Sequence, residues 1–148
     1  MHVGIHEEYA DTVLRSAFHE AYQGANSSIA SGPGRPRVPL DGLIRTRRRV
    51  IALQIEARNH NQIPLCAKDF ATVDGEFDAK LFIVMKPNLN RSFVSAQNMA
   101  RRCYEIISQG SKVPVASLAW RGDGRDRHEH FDHDVAAVRM AVAGLDAT

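Results

Sequence analysis

Two cysteines, one tryptophan and no apolar run of membrane-spanning length narrow what this 148-residue chain can be. Cys66 and Cys103 are too few for a disulfide framework and fall at apolar helical positions. They are expected to be reduced, buried thiols in a cytoplasmic protein. The N-terminus is charged and lacks an apolar stretch, so no signal peptide is expected. A transmembrane helix needs about 20 apolar residues, and no stretch approaches that. Gly-x-Ser-x-Gly, Walker and Cys-x-x-Cys sequences are all missing, and Gly122-Asp123-Gly124 is too short to cradle a phosphate. Phe93, Tyr104 and Trp120 are scattered singly, which reads as core and not as a base-stacking platform.

Excess charge is also missing: the formal net charge is only +2. Its distribution says more. Arg35, Arg37, Arg45, Arg47, Arg48 and Arg49 form a basic run. The guanidinium fork suits phosphate, so the run is a candidate nucleic-acid contact; the alternative is a solvated Arg-rich hairpin.

The length predicts one domain over residues 1–148, large enough to bury a sizeable core. Apolar residues at helical spacing predict a first helix from His6 to Tyr22, with Glu20 at the edge of its buried face. Gly24 to Pro36 is dense in Gly, Pro and Ser and reads as a loop. Val38 to Ile44 and Arg49 to Arg58 read as two strands joined by a basic turn. A helix is expected within Asn59 to Val73, with Leu65, Cys66 and Phe70 inward and Pro64 in its first turn. Phe77 to Lys86 reads as an interior strand, and Pro87 to Asn90 as a turn. Ser92 to Gln109 is the clearest helix, Val113 to Trp120 an edge strand, and Asp132 to Ala143 a closing helix with Asp132 and Asp134 at its positive end. This order predicts an α/β fold with a mixed β-sheet flanked by helices.

The second strand of the basic hairpin carries the chemistry. It is apolar on both faces until Gln54, Glu56 and Arg58, which alternation puts on one face. Burying such groups is costly unless a partner or a metal compensates them. Asp41 lies fifteen residues before Glu56, at the end of Pro-Leu-Asp-Gly. An Asp on one strand followed by a carboxylate motif on the next resembles the core of the PD-(D/E)XK nuclease superfamily, the restriction-endonuclease-like fold. Two registers are open. Glu56-Ala57-Arg58 would fill the Glu-x-Lys slot with Arg in the Lys position; Gln54-Ile55-Glu56 resembles the Glu-x-Glu variant with Gln first. The resemblance spans about Glu7 to Val84.

That resemblance implies a metal-dependent DNA endonuclease or an inactive relative that only binds. It implies Mg²⁺, with Mn²⁺ as an alternative, held by Asp41 and Glu56, with DNA as partner, no membrane association and room for a homodimer. Glu20 becomes a candidate extra carboxylate. Arg58 could stabilise phosphorane charge but not act as a base, because it stays protonated. Two other constellations stay open. Asp78-Ala79-Lys80 is a literal Asp-x-Lys. The run from Arg127 to Asp134, rich in His and Asp, is a helix cap, a nucleic-acid contact or a transition-metal site.

Overall fold

The computed structural model describes residues 4–24, 28–30, 37–57, 61–85, 92–125 and 128–148. Helix α1 (Ile5–Phe18) leads through a 3₁₀ turn (His19–Ala21) into β1 (Tyr22–Gln23). Strands β2 (Ser28–Ala30) and β3 (Arg37–Pro39) follow, then β4 (Gly42–Arg45), β5 (Val50–Glu56) and α2 (Ile63–Ala71). The chain continues through β6 (Ala79–Val84), α3 (Phe93–Gly110), β7 (Val115–Ala119) and α4 (Phe131–Asp146).

The main sheet has five strands in the order β1-β4-β5-β6-β7. β1, β4 and β5 pair antiparallel, whereas β5, β6 and β7 are parallel. The expected mixed sheet flanked by helices is therefore present. Parallel neighbours need crossovers, which α2 and α3 supply. Because β5, β6 and β7 advance in one direction across the sheet, crossovers of one hand put α2 and α3 on the same face. They pack there on Leu43, Ala52, Phe82 and Val84, with Phe70, Ala100, Cys103 and Ile107 between. α1 and α4 cover the other face, where Val13, Leu14 and Val138 meet Ile44, Ile51, Leu53, Leu81 and Ile83. Each such buried Leu, Ile or Val is worth about 1.5–3 kcal/mol relative to exposure. β6 is buried at every residue, because helices cover it on both sides.

Several expectations change. The stretch from Val38 to Ile44 is not one strand: β3 pairs with β2 in a separate two-stranded sheet, and the main sheet resumes only at Gly42. Part of the Gly- and Ser-rich segment is therefore strand, because β2 finds β3 as its pairing partner. α1 stops at Phe18, where His19 takes a left-handed φ of 50°, and Tyr22 is already in the sheet. Leu65 is 63% exposed, on the solvent face of α2. α2 begins at Ile63, so its buried stripe is Ile63, Ala67, Phe70 and Ala71. The turn expected from Pro87 to Asn90 lies outside the described residues. The Ser92 side chain caps α3 by accepting the Ser95 N–H at 3.1 Å, and β7 is the sheet edge as expected.

Candidate active site

Asp41 stands where the chain enters β4. Its N–H donates to the Leu53 carbonyl at 3.2 Å, although Leu53 is the register partner of Gly42. Two residues thus face one, as in a β-bulge, which re-aims a side chain at a strand end. The Asp41 carboxylate accepts the Ile55 N–H at 2.7 Å, binding it to β5 between Gln54 and Glu56. Gly42 lets β1 lie close against β4 beside it. A Cβ there would lie 2.8 Å from the Gln23 carbonyl oxygen and 2.9 Å from the Tyr22 ring.

Glu56 ends β5 and is only 5% exposed. The Gln54 side-chain amide donates to its Oε1 at 2.8 Å, so the two share a strand face as alternation requires. That face is the one carrying α2 and α3. The pKa of the Cys103 thiol of α3 is pushed up to about 12, first by burial, against an opposing pull from Arg102 and with a smaller push from Glu56. Neither cysteine forms a disulfide. On the other side, Tyr22 of β1 is held well above its ordinary pKa. Burial is the chief cause, Asp11 adds to it, and Asp41 adds a smaller push that places its carboxylate in range of β1.

Asp41 is thus tied to the same end of β5 that carries Gln54 and Glu56. Asp41 and Glu56 supply carboxylate oxygens and Gln54 an amide, a set that fits a hard cation such as Mg²⁺ better than a thiolate-seeking metal. Mg²⁺ keeps several waters, so two carboxylates suffice for one ion. Among the described residues no group of three or more His, Cys, Asp or Glu side chains could hold a metal.

The other sequence candidates lie elsewhere. Glu20 sits in the 3₁₀ turn after α1 and is exposed, not on the helix's buried face, because the helix ends two residues earlier. Arg35 and Arg58 lie outside the described residues, and of Arg37 only the backbone is described, in β3. Arg45 ends β4 opposite Val50, and Arg47, Arg48 and Arg49 lie in the turn that follows, at the Val50 end of β5. At about 3.3 Å per residue that is roughly 20 Å from Glu56, so these four arginines do not surround it. Two of these arginines are engaged with the chain's own C-terminal region. Arg48 donates to the Asp146 carbonyl at 3.1 Å, and Arg49 to the carbonyls of Asp78 and Thr148 at 3.0 and 2.5 Å. Adjacency in sequence hides this separation because a hairpin turn and a strand end are a whole strand apart.

Asp78 and Lys80 fall at the same far end of the sheet. The Asp78 carboxylate accepts the Val50 N–H at 2.9 Å. Lys80 is 1% exposed and donates to the Ala71 carbonyl at 2.9 Å, with its ammonium over the rings of Phe70 and Phe77. Burial lowers its pKa to about 8, against a smaller opposing pull from Asp74. This Asp-x-Lys does not meet Asp41.

The His-rich run resolves into a packing joint. His128 makes an edge contact with Tyr9, and His133 with Phe93. Asp134, expected at the positive end of the closing helix and within the His-rich run, organises the loop after β7. Its carboxylate is fully buried and accepts Tyr9 Oη–H at 2.6 Å, the Arg121 N–H at 2.8 Å, the Gly122 N–H at 2.9 Å and a contact from His133 Nδ1 at 3.0 Å. Gly122-Asp123-Gly124 is part of that loop, with Asp123 accepting the Arg125 N–H at 2.9 Å. Tyr104, expected in the core, is 45% exposed on α3.

No family model, no curated protein and no solved structure matches the chain. No described helix is long and apolar enough to cross a membrane.

Proposed function

We propose that the protein is a Mg²⁺-dependent DNA endonuclease on a restriction-endonuclease-like core, with Asp41 and Glu56 as its metal ligands. The observation that carries the reading is the Asp41 carboxylate bonded to the Ile55 N–H, next to the buried Glu56. The order of elements supports it: α1, three antiparallel strands (β1, β4, β5), α2, then β6 parallel to β5. An acidic residue enters the middle strand of the three and another ends the third, the arrangement the family resemblance implies.

Asp41 and Glu56 would hold the ion, with Mn²⁺ as an alternative, and Gln54 keeps one Glu56 oxygen oriented through its amide hydrogen bond. When bound, the metal polarises a phosphoryl oxygen and lowers the pKa of a water. The protein orients the phosphodiester and excludes bulk water, since Glu56 is already buried. Arg45 and Arg47, both exposed, extend the DNA contact to the far end of β5 by phosphate attraction. Arg58, in the Lys position of one register, would stabilise charge on the phosphate. The reading goes with a cytoplasmic protein whose thiols stay reduced.

A second reading is favoured by one observation: Gln54 stands where the Glu-x-Glu pattern has a carboxylate, and its amide donates to Glu56. On that reading the fold binds DNA without cutting it. Gln54→Glu separates the two. An added carboxylate beside Glu56 should raise Mg²⁺-dependent plasmid cleavage at least about tenfold, or about 1.4 kcal/mol of barrier, if the Gln54-Ile55-Glu56 register is the working one. Parent and variant both inactive while still binding DNA would establish the binding-only reading.

A further inference from the structure

A cleft among the described residues lies away from Asp41 and Glu56. It has a volume of about 530 Å³ and opens along the edge strand β7, between α3 and α4. That size falls within the roughly 300–1,000 Å³ of small-molecule sites. Its charged lining is Arg101 of α3, Arg121 just after β7 and His133 of α4, and no carboxylate lines it.

Arg121 is held in place. Its guanidinium lies 4.1 Å over the Phe93 ring, Phe93 packs edge-on against His133, and its backbone N–H is fixed by buried Asp134. Stacking leaves the edges of a guanidinium, where its N–H donors lie, directed outward. Among the described residues neither Arg101 nor Arg121 has a carboxylate within salt-bridge distance. Beneath them, Ser117 of β7 carries a buried hydroxyl with no hydrogen-bond partner, and buried hydroxyls normally have one. Half-exposed Tyr104 supplies an aromatic wall and Gln97 an amide. Two forks suited to phosphate, an aromatic face, an amide and an unsatisfied hydroxyl make a mixed anionic and aromatic recognition set.

We propose that this cleft binds a nucleoside phosphate, with the phosphate on Arg101 and Arg121, the base against Tyr104 and its polar edge toward Gln97 and Ser117. Either a free nucleotide or the phosphorylated end of a strand presents this chemistry. The cleft runs along the edge strand from Ser117 to its carboxyl end, where Arg121 follows. Register aligns Glu56 with Val84 and Val84 with Ala119, which lines the cleft. Two strand spacings put Ala119 about 10 Å across the sheet from Glu56. The site uses neither Asp41 nor Glu56, so it stands or falls separately from the nuclease reading.

The test is calorimetric titration of the whole protein with AMP and, separately, with a short single-stranded oligonucleotide with and without a 5′-phosphate. Arg101→Ala and Arg121→Ala remove exposed side chains and should leave the thermal melt unchanged. Each should weaken binding at least about tenfold, since each removes a charge-assisted contact. Lys112→Ala, a charge-matched change outside the cleft, and Glu56→Ala should leave it unchanged. AMP binding with this dependence assigns the free nucleotide as ligand. Silence with AMP, together with Arg-dependent binding of the 5′-phosphorylated oligonucleotide alone, assigns a strand end. No Arg101- and Arg121-dependent binding in either arm, or an equal loss in Lys112→Ala, overturns the proposal.

Discussion

Replacing Asp134 by alanine removes the one acceptor shared by α1, the loop after β7 and α4. Tyr9 Oη–H and the Gly122 N–H lose their partner in a buried setting, and the Arg121 N–H loses its partner in a partly buried one. An orphaned buried donor costs about 1–3 kcal/mol. Two fully buried donors and a half-buried one, relaxed by some entry of water, give an expected loss of about 4 kcal/mol. For a chain of this size that lowers Tm by roughly 10 °C, at about 2–4 °C per kcal/mol. Tyr9→Phe removes a single donor and leaves Asp134 its backbone partners, so it should cost only about 1.5 kcal/mol. In the double variant the shared hydrogen bond is counted once, so the two losses should fall short of additivity by about 1 kcal/mol. Urea unfolding followed by far-UV circular dichroism measures all three. A loss below about 1 kcal/mol for Asp134→Ala, within the range of ordinary surface changes, would refute this reading of the joint.

Gly42→Ala should cost about 1–3 kcal/mol in the same assay, because its methyl would press on the Gln23 backbone and the Tyr22 ring; a neutral result would mean that β1 yields freely. Lys80 is the expected source of an alkaline stability gain. Its amine is neutral above about 8 in the folded protein, while the unfolded chain holds the proton to its ordinary 10.5. The unfolded state therefore binds more protons in that window, and stability should rise with pH through it. Lys80→Met should lose that rise, as pH-dependent unfolding would show; a flat parent profile would contradict the burial argument. Arg45→Ala with Arg47→Ala should reduce the log–log salt slope of duplex DNA binding by about 2 units if both touch phosphate; an unchanged slope would make them surface charges only.

Periodicity made most of the fold legible. β6 is apolar on both faces and α3 repeats at helical spacing, and those patterns reflect burial that the structure retains. What escaped detection depended on partners distant in sequence. β2 and β3 are too short to declare themselves without each other, and β1 is two residues recruited by β4. Pro64 falls in the first turn of α2 as expected, but the buried stripe is Ile63, Ala67, Phe70 and Ala71, which leaves Leu65 on the solvent side. That Gln54 and Glu56 share a strand face was legible because strand alternation is local. The distance of Arg45, Arg47, Arg48 and Arg49 from Glu56 was not, since it follows from the length of β5. Asp134 was legible as a helix-start carboxylate, but not as the acceptor for Tyr9, Arg121 and Gly122, which lie outside its helix.

A metal-dependent cutting site at Asp41 and Glu56, as proposed, is tested most directly by a supercoiled-plasmid nicking assay across a Mg²⁺ titration, with Mn²⁺ in parallel. Parent protein, Asp41→Asn and Glu56→Gln are run side by side at matched DNA binding. The account expects nicking that requires the divalent ion and falls by at least about two orders of magnitude in each variant, the scale of losing about 2.7 kcal/mol of transition-state stabilisation. Nicking that persists in EDTA, or that survives undiminished in both variants, would contradict it.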